Sequence, residues 1–281
     1  LTSNIIQALW IGDRLSVMER LSIRSFLHQG HDFHLYLYGP CAGVPEGTTV
    51  RDGNEILAGA EIHSYRSGYG KGSPALFSNL FRLELLFRAG GWWVDLDVVA
   101  LRPFRFGREH VLGAARGKSR RGRIASGVIH TPPGSPLVAR CLETIRNTDL
   151  GRARWGETGP SLLARTAAEL GMGKEAEPPS VFYPIDAADF WRFIRPAQPV
   201  PDAVALHLWA QLWRHYGLNP GGRYPETSIY EQLIAKYLPE ARSEARPRVN
   251  VTAAILRSVP RRISTGAWFW SRRLRRRFRR A

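Results

Sequence analysis

At 281 residues with 44% apolar content, the chain is long enough and greasy enough to build one sizeable core. That argues against a disordered or low-complexity protein. Its two cysteines, Cys41 and Cys141, exclude a disulfide framework and a thiolate metal cluster. The net charge of +16 is uneven: nine arginines and no acid lie between Arg261 and Ala281. The excess therefore resides largely in a C-terminal appendage, and the rest still suits an anionic substrate.

The first segment, Ile5-Ile6-Gln7-Ala8-Leu9-Trp10, reads as a buried strand ended by Gly12-Asp13. Leu15 to His28 has helical periodicity, with Ser16 or Asp13 as cap and Gly30 beyond its end. His34 to Tyr38 is a second strand, stopped by Gly39-Pro40. Strand, helix and strand in so short a span predict an α/β fold with parallel strands. Val44 to Ser73 reads as loop, with glycines at 47, 53, 59, 68, 70 and 72. Ser73-Pro74 then predicts an N-cap followed by proline in the first turn, and a helix from Ala75 to Ala89 halted by Gly90-Gly91. A strand follows from Trp92 to Val99, another from Ile124 to His130, and a short late one from Ala203 to Leu208. Pro136–Asn147, Ser161–Leu170 and Thr227–Leu238 read as helices. The simplest division is a catalytic domain at 1–240 and an Arg-rich tail at 241–281.

In a strand through Asp95-Leu96-Asp97 the two carboxylates project to one face, with Val94, Leu96 and Val98 on the other. Paired carboxylates repel and need a compensating cation. Mg²⁺ or Mn²⁺ takes oxygen ligands and bridges readily to phosphate. On the preceding helix Ser78, Asn79 and Arg82 can share a face, since positions three and four apart are neighbours. This sets Arg82 one helix ahead of the acidic pair.

Ser78-Asn79-Leu80-Phe81-Arg82, Leu85-Leu86 and the run Gly90-Gly91-Trp92-Trp93-Val94-Asp95-Leu96-Asp97-Val98 resemble the signature of the DXD sugar-transferase family. That family includes α-mannosyltransferases, α1,4-galactosyltransferases and capsular polysaccharide enzymes. The likeness runs from Ile5 to about Trp213 and includes Gly159-Pro160 and His207-Leu208-Trp209. It implies a GT-A type fold, a Rossmann-like mixed sheet flanked by helices, and a nucleotide-sugar donor with Mn²⁺ or Mg²⁺. It further implies a saccharide or lipid-linked (glycolipid) acceptor and retention at the anomeric carbon. By position, Asp97 ligates the metal, Asp95 faces the donor, and Arg82 touches donor sugar or phosphate. Trp10 lies near the base, with Ser78 and Asn79 beside the donor. The family usually carries Asp where this chain has Asn79.

His207 is the third candidate metal ligand, with a structural histidine as the other reading and His215 as an alternative. Glu157, Asp186 and Asp189 are the acids available as a nucleophile, which a front-face mechanism does not require. In the tail, Ile263, Ala267, Trp270, Leu274 and Phe278 form one helical stripe among arginines. That pattern suits an anionic membrane surface, and Trp268, Phe269 and Trp270 favour the bilayer interface over nucleic acid. No signal peptide or spanning segment is visible, so the expected location is cytoplasmic, at the inner face of a membrane. The rival readings are a haloacid-dehalogenase-type Mg²⁺ phosphatase and a non-enzymatic basic membrane- or nucleic-acid-binding protein.

Overall fold

A computed structural model describes residues 4–66, 68, 70–116 and 123–253. In chain order the strands are β1 (Ile5–Leu9), β2 (Asp32–Leu37), β3 (Thr48–Asp52), β4 (Gly91–Val94), β5 (Val98–Ala100), β6 (Val111–Ala115), β7 (Arg123–Thr131), β8 (Ala176–Glu177) and β9 (Ala205–His207). The helices are α1 (Val17–His28), α2 (Ala75–Ala89), α3 (Pro136–Arg146), α4 (Pro160–Glu169), α5 (Pro179–Phe182), α6 (Ala210–Tyr216) and α7 (Ile229–Tyr237). Seven strands form one mixed sheet in the order β3-β2-β1-β4-β7-β6-β8, and β5 pairs with β9 in a second sheet. β3, β2, β1 and β4 run parallel, and β7 is antiparallel to both its neighbours. This is the α/β architecture expected, a mixed sheet flanked by helices.

The period-two alternation of β4 explains how the sheet is covered. Trp93 faces Phe81, Leu85 and Leu86 of α2 together with α3 and α4. Trp92 and Val94 face the opposite layer, where Phe26, Phe104 and Phe182 pack. A third cluster, around Met18, Val99, Leu206, Trp213, Tyr230 and Ile234, seats α1, α6 and α7 beside the small sheet. The start of α1 is a capping box: Ser16 accepts from the Met18 N–H, and Glu19 reaches back to the Ser16 N–H at 2.7 Å.

Three sequence expectations are corrected. The segment read as loop contains β3, an edge strand whose Thr-Thr-Val-Arg-Asp sequence lacks apolar alternation because much of it is exposed. The cap of α2 is shifted by one: Pro74 holds the cap position, and Ser73 Oγ accepts from the Ala75 N–H at 3.3 Å. Most consequentially, the strand predicted from Trp92 to Val99 is broken. β4 ends at Val94, a turn closed by Val98 N–H to Asp95 O (3.0 Å) follows, and β5 leaves in the second sheet. β6 and α6 were not anticipated from the sequence.

From residue 241 to residue 253 the chain stays on the body. Arg20 grips Glu244 with two hydrogen bonds of 2.7 Å, and Val249 and Val251 pack against the third cluster. The stripe from Ile263 to Phe278 lies outside the described residues. No described helix is long and apolar enough to cross a membrane.

Candidate active site

The break after β4 builds the site. Asp95 stays on the α2 side of the sheet, as Trp93 does. Its Oδ1 accepts from Arg82 Nη2 at 2.7 Å and from Trp93 Nε1 at 2.9 Å. The Arg82 guanidinium also lies over the Trp93 ring, 4.9 Å from its centre. Arg82 is buried, whereas the Asp95 side chain is 30% exposed, so the pair opens to solvent through the acid. An arginine among the apolar residues of α2 is thus held toward the site rather than snorkelling away from it.

Asp97 points into the join between the two sheets and is buried. β5 pairs antiparallel with β9, placing Val98 opposite His207. Leu208 N–H donates to Asp97 O at 2.7 Å, and Ala210 N–H donates to Asp97 Oδ2 at 2.7 Å. His207 Nε2 lies 3.3 Å from Asp97 Oδ1. The turn that achieves this needs Trp209 in the left-handed region, at φ 63°, an unusual conformation for a bulky residue. Burial pushes the Asp97 carboxyl above the usual carboxylate range; neighbouring His207 pulls it back, and Asp95 raises it further.

Ligand atoms of Asp95, Asp97 and His207 all lie within 4.8 Å of one another. The carboxylates converge, although through a turn and not through strand alternation. The donor set of two carboxylates and an imidazole suits a hard or borderline divalent cation such as Mn²⁺ or Mg²⁺. Two further observations fit such an ion. Asp97 is a buried acid in need of positive charge, and Gly127 keeps the ligand nitrogen clear. A Cβ at Gly127 would sit 3.1 Å from His207 Nε2.

Gly127 lies in a bulge. Between the pairs Leu112–Ile129 and Ala114–Ile124, Gly113 alone on β6 faces residues 125–128 of β7. The freed Gly127 carbonyl accepts from the Asp95 N–H at 2.9 Å, tying the first carboxylate to the sheet.

Asn79 is buried, donating to Thr158 Oγ1 at 3.2 Å and accepting from Arg82 Nη1 at 3.4 Å. Gly159 permits this approach, because a Cβ there would lie 2.8 Å from Asn79 Oδ1. Ser78 is half-buried one turn before Arg82 and adds no side-chain bond to the cluster among the described residues. Trp10 directly follows β1, the strand beside β4, and stands outside the hydrogen bonds of the cluster. His215 is not in the three-ligand group. Asp186 caps a 3₁₀ turn by accepting from Ala188 N–H, and Glu157 accepts from Arg154 N–H, so both serve local turns. Tyr183, which packs on His207 at 5.2 Å between ring centres, had no signal in the sequence beyond its aromatic character.

Fold and site together define a class: an α/β protein with a carboxylate–imidazole cluster where the central strand of the sheet ends. The chain is 25% identical over 181 residues, 58% of its length, to human alpha-1,4-N-acetylglucosaminyltransferase, of which it covers 49%. It is 24% identical over 197 residues, 62% of its length, to human lactosylceramide 4-alpha-galactosyltransferase, of which it covers 52%. The chain therefore spans about half the length of these curated relatives. The apo-form glycosyltransferase GlyE of Streptococcus pneumoniae TIGR4 superposes with a TM-score of 0.47 at 12% identity, over 93% of this chain and 64% of that one. No family model matches the chain.

Proposed function

We propose that the chain is a glycosyltransferase that moves a sugar from a nucleotide-sugar donor to a hydroxyl of a saccharide or glycolipid acceptor. The observation that carries this reading is the meeting of Asp95, Asp97 and His207 beside the Arg82–Asp95 pair. Asp97 and His207, with Asp95, would hold Mn²⁺ or Mg²⁺. The ion, when bound, offsets the charge of the donor diphosphate and of the leaving nucleotide.

The chain's own residues do the rest. Arg82 is positioned to neutralise anionic donor groups while keeping Asp95 in place. The half-exposed Asp95 faces donor hydroxyls, and Asn79 offers a neutral amide beside them. In a front-face transfer the bond from the anomeric carbon to the diphosphate oxygen breaks and its electron pair leaves with the phosphate. The acceptor oxygen bonds to the same face, and its proton passes to the departing phosphate. This course retains configuration and needs no protein nucleophile; none of Glu157, Asp186 and Asp189 belongs to the cluster. The closure of the site by His207 and Arg82 favours transfer over phosphatase chemistry, which calls for a later lysine and acidic pair.

A panel of nucleotide sugars with Mn²⁺ tests the reading. One donor is expected to be hydrolysed slowly without acceptor and to stabilise the protein, by about 2.7 kcal/mol at a hundredfold excess over its Kd. EDTA should remove both effects. Hydrolysis of a phosphate ester with no response to any nucleotide sugar would point to the phosphatase instead.

The arginine-rich tail is the part of the proposal that concerns location, supported by its aromatic and aliphatic stripe. Removing Arg261 to Ala281 should release the protein from vesicles containing anionic lipid while sparing donor hydrolysis. Undiminished co-sedimentation with those vesicles would refute the tail as an anchor.

A further inference from the structure

Tyr183 follows α5 directly and is 1% exposed. Its ring lies against His207, with 5.2 Å between centres and 35° between planes, and against Trp209 at 5.8 Å. The ring fits because two facing positions lack side chains. A Cβ at Gly113 would lie 2.7 Å from the ring edge, and one at Gly127 would lie 3.0 Å from both the phenol oxygen and His207 Cδ2. The phenol is buried and makes no hydrogen bond of ordinary geometry among the described residues. A single side chain thus touches the imidazole and fills the bulge whose carbonyl holds Asp95.

Histidine has a broad torsional freedom about χ2, and β9 is a short strand that does little to restrict it. The Trp209 N–H donates to His207 Nδ1 at 3.3 Å and the Trp209 ring stands 4.3 Å from the imidazole, and the Tyr183 ring packs against it as well. We propose that Tyr183 is a positioning residue: its ring, seated in the Gly113–Gly127 notch, orients His207 within the three-ligand cluster. The inference rests on the proposed role of that cluster in holding a divalent ion. It assigns the work to the ring and not to the hydroxyl. Groups that orient a metal-ligating histidine are worth about 10–100-fold in metal affinity.

The test is an electron paramagnetic resonance titration of the full chain with Mn²⁺ alone, alongside metal-free thermal unfolding. Tyr183→Phe keeps the ring and should bind Mn²⁺ within about twofold of the unaltered protein. Tyr183→Leu should weaken binding about 10–100-fold. Gly113→Ala, whose Cβ would press on the Tyr183 ring from 2.7 Å while His207 is not among its nearest neighbours, should weaken it as well and carries the test if Tyr183→Leu does not fold. Phe182→Leu is the control for general loosening, since Phe182 packs on Phe104 and Phe106. It should lower Tm yet leave Mn²⁺ affinity unchanged. Near-normal affinity in Tyr183→Leu or Gly113→Ala overturns the proposal, as does an equal loss in Phe182→Leu. Failure of the unaltered protein to bind Mn²⁺ would instead remove the metal reading, and this proposal with it.

Discussion

Asp97→Asn is expected to abolish metal-dependent donor hydrolysis, by about a thousandfold or more, while leaving the metal-free fold as stable as before or more so. The two halves have one cause. Asp97 is a buried carboxylate whose charged form is disfavoured by desolvation and by Asp95, with His207 only partly compensating. Asparagine removes that charge yet can still accept the Ala210 N–H that Asp97 Oδ2 accepts at 2.7 Å. The fold therefore loses a cost and keeps the bond. Function loses the ligand set by Asp95, Asp97 and His207. A thousandfold corresponds to about 4 kcal/mol of transition-state stabilisation, the scale on which removing one preorganised electrostatic group acts. Opposed signs for stability and activity are the mark of a residue kept for chemistry. Urea unfolding without metal, together with Mn²⁺-dependent hydrolysis of the responsive donor, measures both. Undiminished Mn²⁺-dependent turnover in Asp97→Asn would sink the site assignment.

Arg246→Met is expected to give the largest loss of stability, about 3–5 kcal/mol, the usual effect of stripping one partner from a buried ion pair. Arg246 binds Glu231 twice, at 2.7 and 3.1 Å, and also donates to the carbonyl oxygens of Gly221 and Gly222. Both side chains of the pair are under 10% exposed, at 3% and 8%. Solvent therefore screens the lost contact little. Glu231 also accepts the Tyr224 N–H at 2.9 Å, so the stranded acid sits in the packing of α7. Because the segment runs beside Arg223, bonded through Pro247 O and Val249 N, the substitution should also loosen residues 246–251 from the body. Adding Glu231→Gln removes the unpaired charge and should restore part of the loss. Denaturant midpoints for the single and double variants decide it: a cost below about 1 kcal/mol for Arg246→Met would mean that the pair is not what holds this segment.

Local signals in the sequence sufficed for the unit from Ala75 to Val94. A proline beside the helix start, a helix rich in apolar residues, a Gly-Gly stop and an apolar run each act within a few residues, so α2 spans the residues those signals give and β4 begins where they put it, although it ends early at Val94. They also placed Arg82 within reach of Asp95, since a helix and the strand that follows it pack back on each other. β3 was illegible for the opposite reason: an exposed edge strand is held by its pairing with β2 and carries no pattern of its own.

What the sequence by itself determined is the pair of carboxylates, the arginine ahead of them and the α/β class, all of which follow from short-range pattern. Only the tertiary structure decided how the pair becomes a site. Strand alternation would have set Asp95 and Asp97 side by side; instead β4 stops, the chain turns, and β5 crosses into a second sheet. There it meets β9 and brings His207 to Asp97 from 110 residues away along the chain. The bulge at Gly127 and the ring of Tyr183 complete that arrangement. Such contacts depend on which distant strands pair and on what a glycine leaves empty, and neither is written in the periodicity of a single segment.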